Sequence, residues 1–278
     1  MAAKEKVCVI CRSPRLPHYW YCARCKKIIG NKDMAERAAA LKVAWNAERQ
    51  GFICFYTGER LDERAKAGPW GLTFDHFIPK WKGTVVVCAG VINSMKTSLS
   101  GDEFWSVVME YRSHRKGAPF HRDVCGFQFW NRLGEDGPDQ TPWASRRVDG
   151  KGGECAICGW ETRRGQMYCP RCLRKHPSVT GRKDAMIRSW SRAKQAFLDY
   201  YLGLELEEKD VNSPFYTAFD HRLPRKKGDL VLTSMLVNSM KTNLSEEEFN
   251  LIMEELARCR EGKPFNRDVI KFEYWTRW

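Results

Sequence analysis

The sequence has no long hydrophobic stretch, no secretion signal at its start and no surplus of acidic residues. No apolar run approaches the roughly 18 residues that a membrane-spanning helix needs. The opening six residues lack the apolar core of a signal peptide. We therefore expect an intracellular protein, cytoplasmic or nucleoid-associated, that does not associate with membranes.

Basic residues dominate the charge balance. The 278 residues include 47 Lys and Arg against 34 Asp and Glu, which gives a net charge of +13. Such a surplus favours polyanionic partners, and we expect DNA in particular. Hydrophobic residues make up 43% of the chain, enough for packed cores. We expect a monomer with two modules.

Several motifs occur twice, which indicates a tandem duplication. The pattern C-x2-C-x10-C-x2-C begins at Cys8 and again at Cys155, an offset of 147 residues. The offset falls to 145 residues at the motifs further along the chain. We predict a first module over residues 1–133, a linker rich in Gly, Pro and polar residues over 134–150, and a second module over 151–278.

Helix signals flank the central part of each module. In the first module Asp33 is a predicted N-cap, apolar residues follow at helical spacing, and Gly51 is the predicted end of that helix. The capping-box pattern S-x2-E at Ser100 predicts the last helix of the first module, and the same pattern at Ser245 predicts its counterpart.

Eight of the twelve cysteines form the duplicated C-x2-C pairs, and this spacing is typical of tetrahedral zinc. Four thiolates fill the coordination of zinc, so these sites should be structural. The predicted ligands are Cys8, Cys11, Cys22 and Cys25 in the first module and Cys155, Cys158, Cys169 and Cys172 in the second. The alternative is a set of free or disulfide-paired thiols, which intracellular conditions disfavour.

Only two of the six histidines, His76 and His221, lie at equivalent positions in the two modules. Each follows an aspartate directly and is followed 17 residues later by an asparagine and 20 residues later by a lysine. The two sets are Asp75, His76, Asn93 and Lys96 in the first module, and Asp220, His221, Asn238 and Lys241 in the second.

These residue types suit the hydrolysis of phosphodiester bonds. Carboxylate and amide oxygens are ligands for a hard divalent cation. A neutral imidazole can take the proton from an attacking water molecule, and a lysine can hold a flanking phosphate. The alternative is purely structural: an Asp-His pair hydrogen-bonded in the core and an Asn-x2-Lys run at the start of a helix.

Three segments of the first module resemble the HNH endonuclease family. Residues 74–79, FDHFIP, are similar to the D-H-I-x-P motif, and residues 93–96 are similar to the N-x-x-K motif. Residues 55–61, FYTGERL, are similar to a Tyr-x-Gly-x-x-Leu stretch found upstream in the family, and Tyr201 repeats its tyrosine in the second module. The resemblance covers about 45 residues of each module.

The resemblance implies an α+β fold with two tandem ββα-metal (HNH) modules, each with an N-terminal four-cysteine zinc knuckle and flanking helices. It also implies that His76 and His221 are general bases, and that Asp75 with Asn93, and Asp220 with Asn238, bind magnesium or manganese. The expected activity is metal-dependent cleavage of DNA, one strand at each site, on a duplex or a branched junction.

Two other functions fit the same sequence. One is a non-catalytic, zinc-dependent nucleic-acid-binding protein built on HNH scaffolds, and the other is an HNH nuclease directed at RNA. In either case we expect most basic side chains of the zinc modules, including Arg24 and Arg171, to contact phosphates. We expect Trp20 and Trp160 to pack beside the zinc sites; the alternative is that they are exposed and stack on bases.

Overall fold

The computed structural model describes residues 7–65, 67–130 and 152–275. These residues form a mixed α+β structure in which each sheet is a pair of short antiparallel strands. Within them no helix is both long and apolar enough to cross a bilayer. The predicted linker over 134–150 lies outside the described residues.

The first module contains two helices, two small sheets and two further helices in that order. Its elements are α1 (Ala23–Ile29), α2 (Met34–Ala44), β1 (Trp45–Asn46), β2 (Gly51–Phe52), β3 (Leu72–His76), β4 (Val85–Ala89), α3 (Gly90–Lys96) and α4 (Gly101–Arg115).

The second module repeats this order of elements. They are α5 (Pro170–Leu173), α6 (Arg182–Ser189), β5 (Trp190–Ser191), β6 (Ala196–Phe197), β7 (Thr217–His221), β8 (Leu230–Ser234), α7 (Met235–Lys241) and α8 (Glu246–Arg260), followed by a short 3-10 turn, Arg267–Val269.

In each module an antiparallel hairpin runs directly into a short helix. In the first module His76 pairs with Val85 at the loop end of the hairpin, and Leu72 pairs with Ala89 at its open end, where the chain enters α3. Because side chains alternate between the two faces of a strand, Asp75 is buried while His76 is exposed. The second hairpin has the same register, with Asp220 buried and His221 exposed.

Helix α2 ends earlier than its sequence predicts. It begins at Met34 as expected, but the chain becomes extended at Trp45, where β1 pairs with β2 around Gly51. Gly51 is therefore part of a strand, and the prediction that it ends the helix was wrong. Asp33 precedes the helix in a left-handed conformation, and its side chain makes no capping hydrogen bond.

Both predicted capping boxes are confirmed. The Ser100 amide donates to the Glu103 carboxylate at 2.8 Å, and the Glu103 amide donates to the Ser100 hydroxyl at 3.2 Å. Ser245 and Glu248 make the same reciprocal pair at 2.9 and 3.2 Å. These bonds satisfy backbone N–H groups at the start of α4 and α8 that have no partner within the helix.

The described chain forms two compact units that exchange their closing segments. One unit comprises the residues up to Val108 together with those from Leu251 onward, and the other comprises Met109–Asn250. Helices α4 and α8 each therefore begin in one unit and end in the other. Repeat and unit are thus different divisions of the same chain.

Equivalent aromatic contacts hold the exchanged segments. In the first unit Trp70 contacts Phe265, with ring centroids 5.4 Å apart, and the Arg267 guanidinium lies 4.9 Å from the Trp70 ring. Trp70 also contacts Phe272 at 5.9 Å, and in the second unit Phe215, which is equivalent to Trp70, contacts Phe127, the equivalent of Phe272, at 5.5 Å. Each unit is thus completed by residues from the other repeat.

The exchange of chain segments predicts that truncating the Phe265 side chain, which belongs to the second repeat, will destabilise the first repeat. Phe265 is buried, so Phe265→Ala should destabilise the first unit by about 3–5 kcal/mol. Hydrogen exchange measured by mass spectrometry should then rise around Trp70 and β3, and not in β7 of its own repeat. The matched variant Phe120→Ala should show the reverse pattern. If Phe265→Ala instead raised hydrogen exchange only in β7, the exchange of chain segments between the repeats would be contradicted.

Candidate functional site

The eight predicted zinc ligands form two tight, buried clusters. In each, the four sulfur atoms all lie within 4.8 Å of one another. The Cys11 sulfur is 3.5 Å from that of Cys22 and 3.6 Å from that of Cys25. Sulfur atoms about 2.3 Å from a tetrahedral zinc lie roughly 3.8 Å apart. Both clusters could therefore bind a metal ion such as zinc, with no coordination position left for substrate.

The second cluster already favours an ionised thiol. A hydrogen bond with the Cys172 side chain is the main cause that lowers the pKa of Cys169 to about 5. The Cys158 sulfur lies 3.5 Å from the Cys169 sulfur. The same hydrogen bond is the main cause that raises the pKa of Cys172, so this pair favours one thiolate beside one thiol.

An arginine connects each four-cysteine cluster to the rest of its module. Arg24 pairs with Glu63 and lies 5.0 Å from the Trp45 ring. The equivalent Arg171 pairs with Glu208 and lies 4.8 Å from the Trp190 ring. Arg24 and Arg171 belong to the set of basic residues of which most are expected to contact phosphates, and in the structure their guanidinium groups are engaged within the protein.

The zinc assignment predicts two zinc ions per chain. Cys25→Ser should leave one, because three thiolates bind zinc much less tightly than four. Cys54→Ser is the matched control, since Cys54 is buried but lies outside both clusters, and this variant should keep two. Native mass spectrometry measures the count directly. If Cys25→Ser still bound two zinc ions, the assignment would be contradicted.

Asp75 lies at the centre of a buried hydrogen-bond network. Its Oδ2 accepts from the Tyr56 hydroxyl at 2.6 Å, and its Oδ1 accepts from the Lys96 ammonium at 3.1 Å. The Lys96 side chain is 1% exposed and that of Asp75 is 7% exposed. Burial raises the pKa of Asp75, against the opposing effects of Lys96 and Tyr56.

The same lysine also fixes the backbone of His76. Its ammonium donates to the His76 carbonyl oxygen at 3.0 Å, so it binds two successive residues at the end of β3. The His76 side chain faces solvent, and its Nδ1 lies 3.3 Å from the Trp81 carbonyl oxygen. With the hydrogen on Nδ1 directed to that carbonyl, Nε2 is left as a proton acceptor.

The second module repeats this arrangement. Asp220 accepts from the Tyr201 hydroxyl at 2.8 Å and from the Lys241 ammonium at 3.2 Å. Lys241 also donates to the His221 carbonyl oxygen at 2.7 Å. Burial raises the pKa of Asp220 and lowers that of Lys241, which is the direction expected for an ion pair removed from water. The structure therefore gathers Asp, His and Lys at both sequence-predicted sites.

Asn93 and the two helix lysines are not placed as a metal and phosphate site requires. The Asn93 amide donates to the Phe74 carbonyl oxygen at 3.3 Å. Both Asp75 oxygens are engaged, and the Lys96 ammonium neutralises the charge that would attract a cation. As placed, these residues do not fit a resident magnesium or manganese ion, and a buried Lys96 does not reach an external phosphate.

Sequence reasoning missed the role of two tyrosines and two threonines. Tyr56 and Tyr201 belong to the stretch that resembles the HNH family, and that stretch gave no sign that their hydroxyls bind the aspartates. Thr97 and Thr242, directly after the lysines, have φ values of 54° and 51°. This region is unfavourable for β-branched residues, so the chain holds both threonines in a strained turn.

The surroundings of the two histidines differ between the modules. The Phe77 ring occupies the space where a side chain on Gly101 would lie, so glycine is required there. Arg222 stands at the equivalent of Phe77 and pairs with Asp229, with an N–O distance of 2.6 Å. The first site thus has an aromatic flank and the second a charged one.

The ion-pair geometry predicts a strong effect of removing one partner. Lys96→Met leaves a buried, unpaired carboxylate and should lower the free energy of unfolding by about 3–5 kcal/mol. The double variant Asp75→Asn/Lys96→Met removes both charges and should recover most of that loss. Urea denaturation measures both. Equal stability of Lys96→Met and the wild type would show that Lys96 is not paired in solution.

Comparison of the chain with protein-family models, with curated proteins and with solved structures found no match.

Proposed function

We propose that the chain is a DNA endonuclease that hydrolyses phosphodiester bonds at two sites, one at His76 and one at His221. The observation that carries this proposal is a duplicated strand end in which only the histidine side chain faces solvent. The neighbouring aspartate, lysine and tyrosine are buried and hydrogen-bonded beneath it. Such a fixed, exposed imidazole suits a general base.

In the proposed reaction His76 Nε2 takes a proton from a water molecule. The water oxygen attacks the phosphorus atom, the bond from phosphorus to the leaving sugar oxygen breaks, and that oxygen takes a proton from solvent water. The Trp81 carbonyl stabilises the imidazolium that forms, because it faces the Nδ1 hydrogen. Lys96 is a positioning residue here, since it binds the His76 backbone and does not face substrate.

Exposed basic residues beside each histidine would bind the DNA backbone. Lys80 and Lys82 lie in the loop after His76, and Arg225, Lys226 and Lys227 lie in the corresponding loop after His221; all five are exposed. Contacts of this kind orient the duplex without reading its sequence. The HNH resemblance implies a magnesium or manganese dependence, but the residues as placed do not fit a resident ion, so the proposed step uses only the protein's own residues and the test compares added metal with none.

Two sites in one chain are suited to cutting two strands. The aromatic flank of His76 and the charged flank of His221 favour different surroundings of the scissile phosphate. We therefore propose that each site cuts one strand, on a duplex or at a branched junction.

The direct test is cleavage of supercoiled plasmid with added Mg²⁺, with added Mn²⁺ and with neither. The wild type should produce linear DNA, and His76→Ala and His221→Ala should each produce mainly nicked DNA. Each substitution should lower the rate at which its own site cleaves DNA by roughly 10²–10⁴-fold, the usual contribution of a general base. The double variant should leave the plasmid supercoiled.

His121→Ala is the matched control, because His121 is an exposed histidine that pairs with Glu110 and belongs to neither candidate site. It should cut like the wild type. A double variant that still linearises plasmid would overturn the proposal. Binding without cleavage of duplex, junction or RNA would support the non-catalytic alternative, and cleavage of RNA alone would support the RNA nuclease.

A further inference from the structure

The first zinc module presents two aromatic rings to solvent. Trp20 is 67% exposed and Tyr19 is 46% exposed, so the expectation that Trp20 packs beside the metal cluster was wrong. The backbone beneath the rings is fixed, because the Val9 amide donates to the Trp20 carbonyl at 3.0 Å and the Leu16 amide donates to the Tyr21 carbonyl at 3.0 Å. The rings are thus held on an ordered loop.

Basic side chains lie against both rings. The Arg15 guanidinium is 5.2 Å from the centroid of the Trp20 ring and donates to the Tyr19 carbonyl at 3.2 Å. The Lys26 ammonium is 4.8 Å from the centroid of the Tyr19 ring. Aromatic surface and positive charge therefore form one patch, which we call the aromatic-basic patch: Arg15, Tyr19, Trp20 and Lys26.

The charge around this patch is strongly one-sided. From Val7 to Lys32 the sequence contains six Lys and Arg residues and no Asp or Glu. A zinc ion with four thiolates carries a formal charge of −2, which leaves the segment clearly positive. A polyanion is the partner that this charge complements.

We propose that the aromatic-basic patch binds single-stranded nucleic acid, with an unpaired base stacked on Trp20 and the flanking phosphates close to Arg15 and Lys26. Exposed rings interleaved with cations are the means by which proteins hold unpaired strands without reading their sequence. The inference rests on nucleic acid being the partner in the proposed function, and it does not depend on cleavage.

The second zinc module lacks the same platform. Met167 occupies the position equivalent to Trp20. Trp160 is 44% exposed, but its indole N–H donates to the Gln195 side chain at 3.0 Å and the Arg171 guanidinium lies 5.3 Å from its ring. The two modules therefore offer a natural comparison, in which the first should bind an unpaired strand and the second should not.

The test measures binding by the full-length, zinc-loaded protein without added Mg²⁺ or Mn²⁺. The probe is a fluorescein-labelled 20-nucleotide single strand that contains 2-aminopurine, beside a blunt duplex of the same sequence. Trp20→Ala should weaken single-strand binding by about 5- to 100-fold, as expected for the loss of one stacked base. It should also abolish the change in 2-aminopurine fluorescence, while duplex affinity changes by less than about threefold.

Three variants make the result specific. Trp20→Phe keeps an aromatic ring and should retain most of the single-strand affinity. Trp20→Met introduces the residue that the second module has at this position and should behave like Trp20→Ala. Met167→Ala should bind like the wild type. A zinc content of two per chain shows that each variant is folded at the clusters.

Several outcomes would overturn the proposal. In the first, Trp20→Ala binds the single strand as tightly as the wild type does. In the second, Trp20→Ala loses single-strand and duplex affinity equally. In the third, the patch binds phosphatidylserine vesicles through Trp20 and does not bind the oligonucleotide. Plasmid cleavage can fail while this binding persists, so the failure of one proposal is distinguishable from that of the other.

Discussion

The buried pair of Lys96 and Asp75, repeated as Lys241 and Asp220, is the interaction on which each candidate site depends. Taking both charges out of water costs several kcal/mol per ion, and the pair persists only because hydrogen bonds satisfy the remaining atoms. Lys96 supplies them to the aspartate and to the next carbonyl, and Tyr56 supplies one more. The helix, the strand end and the upstream loop therefore meet at a single carboxylate, and the exposed histidine takes its position from that junction.

The four-cysteine clusters and the exchanged segments provide the covering layer that the small hairpins lack. Two-stranded sheets are marginal by themselves and need a covering layer. In the second module the four cysteines pack with Met186, Phe197, Leu206 and Leu232 in one hydrophobic cluster. In the first, Trp70 is covered by residues near the end of the chain. Each hairpin thus depends on partners far away in sequence, which makes the duplication itself part of the fold.

Local patterns predicted much of this structure. The cysteine spacing located both four-cysteine clusters, the S-x2-E pattern located two capped helices, and the Asp-His and Asn-x2-Lys runs fell on a strand end and a short helix as expected.

Long-range contacts could not be predicted from such local patterns. Nothing near Lys96 shows that it is buried against a residue 21 positions earlier, because Asn-x2-Lys is equally compatible with a solvent-exposed helix face. The pairing of Arg24 with Glu63, 39 residues away, and the exposure of Trp20 likewise depend on tertiary packing. The resemblance to HNH enzymes remains an interpretation of these motifs.

Each aspartate is neutralised by its lysine and is therefore not a free metal ligand. The decisive measurement is electron paramagnetic resonance of Mn²⁺ titrated into the zinc-loaded protein without DNA. The wild type should show no stoichiometric Mn²⁺ binding, and Lys96→Met/Lys241→Met should bind Mn²⁺ more tightly, because both carboxylates lose their partners. Tight binding of two Mn²⁺ ions by the wild type, lost in Asp75→Asn/Asp220→Asn, would contradict it.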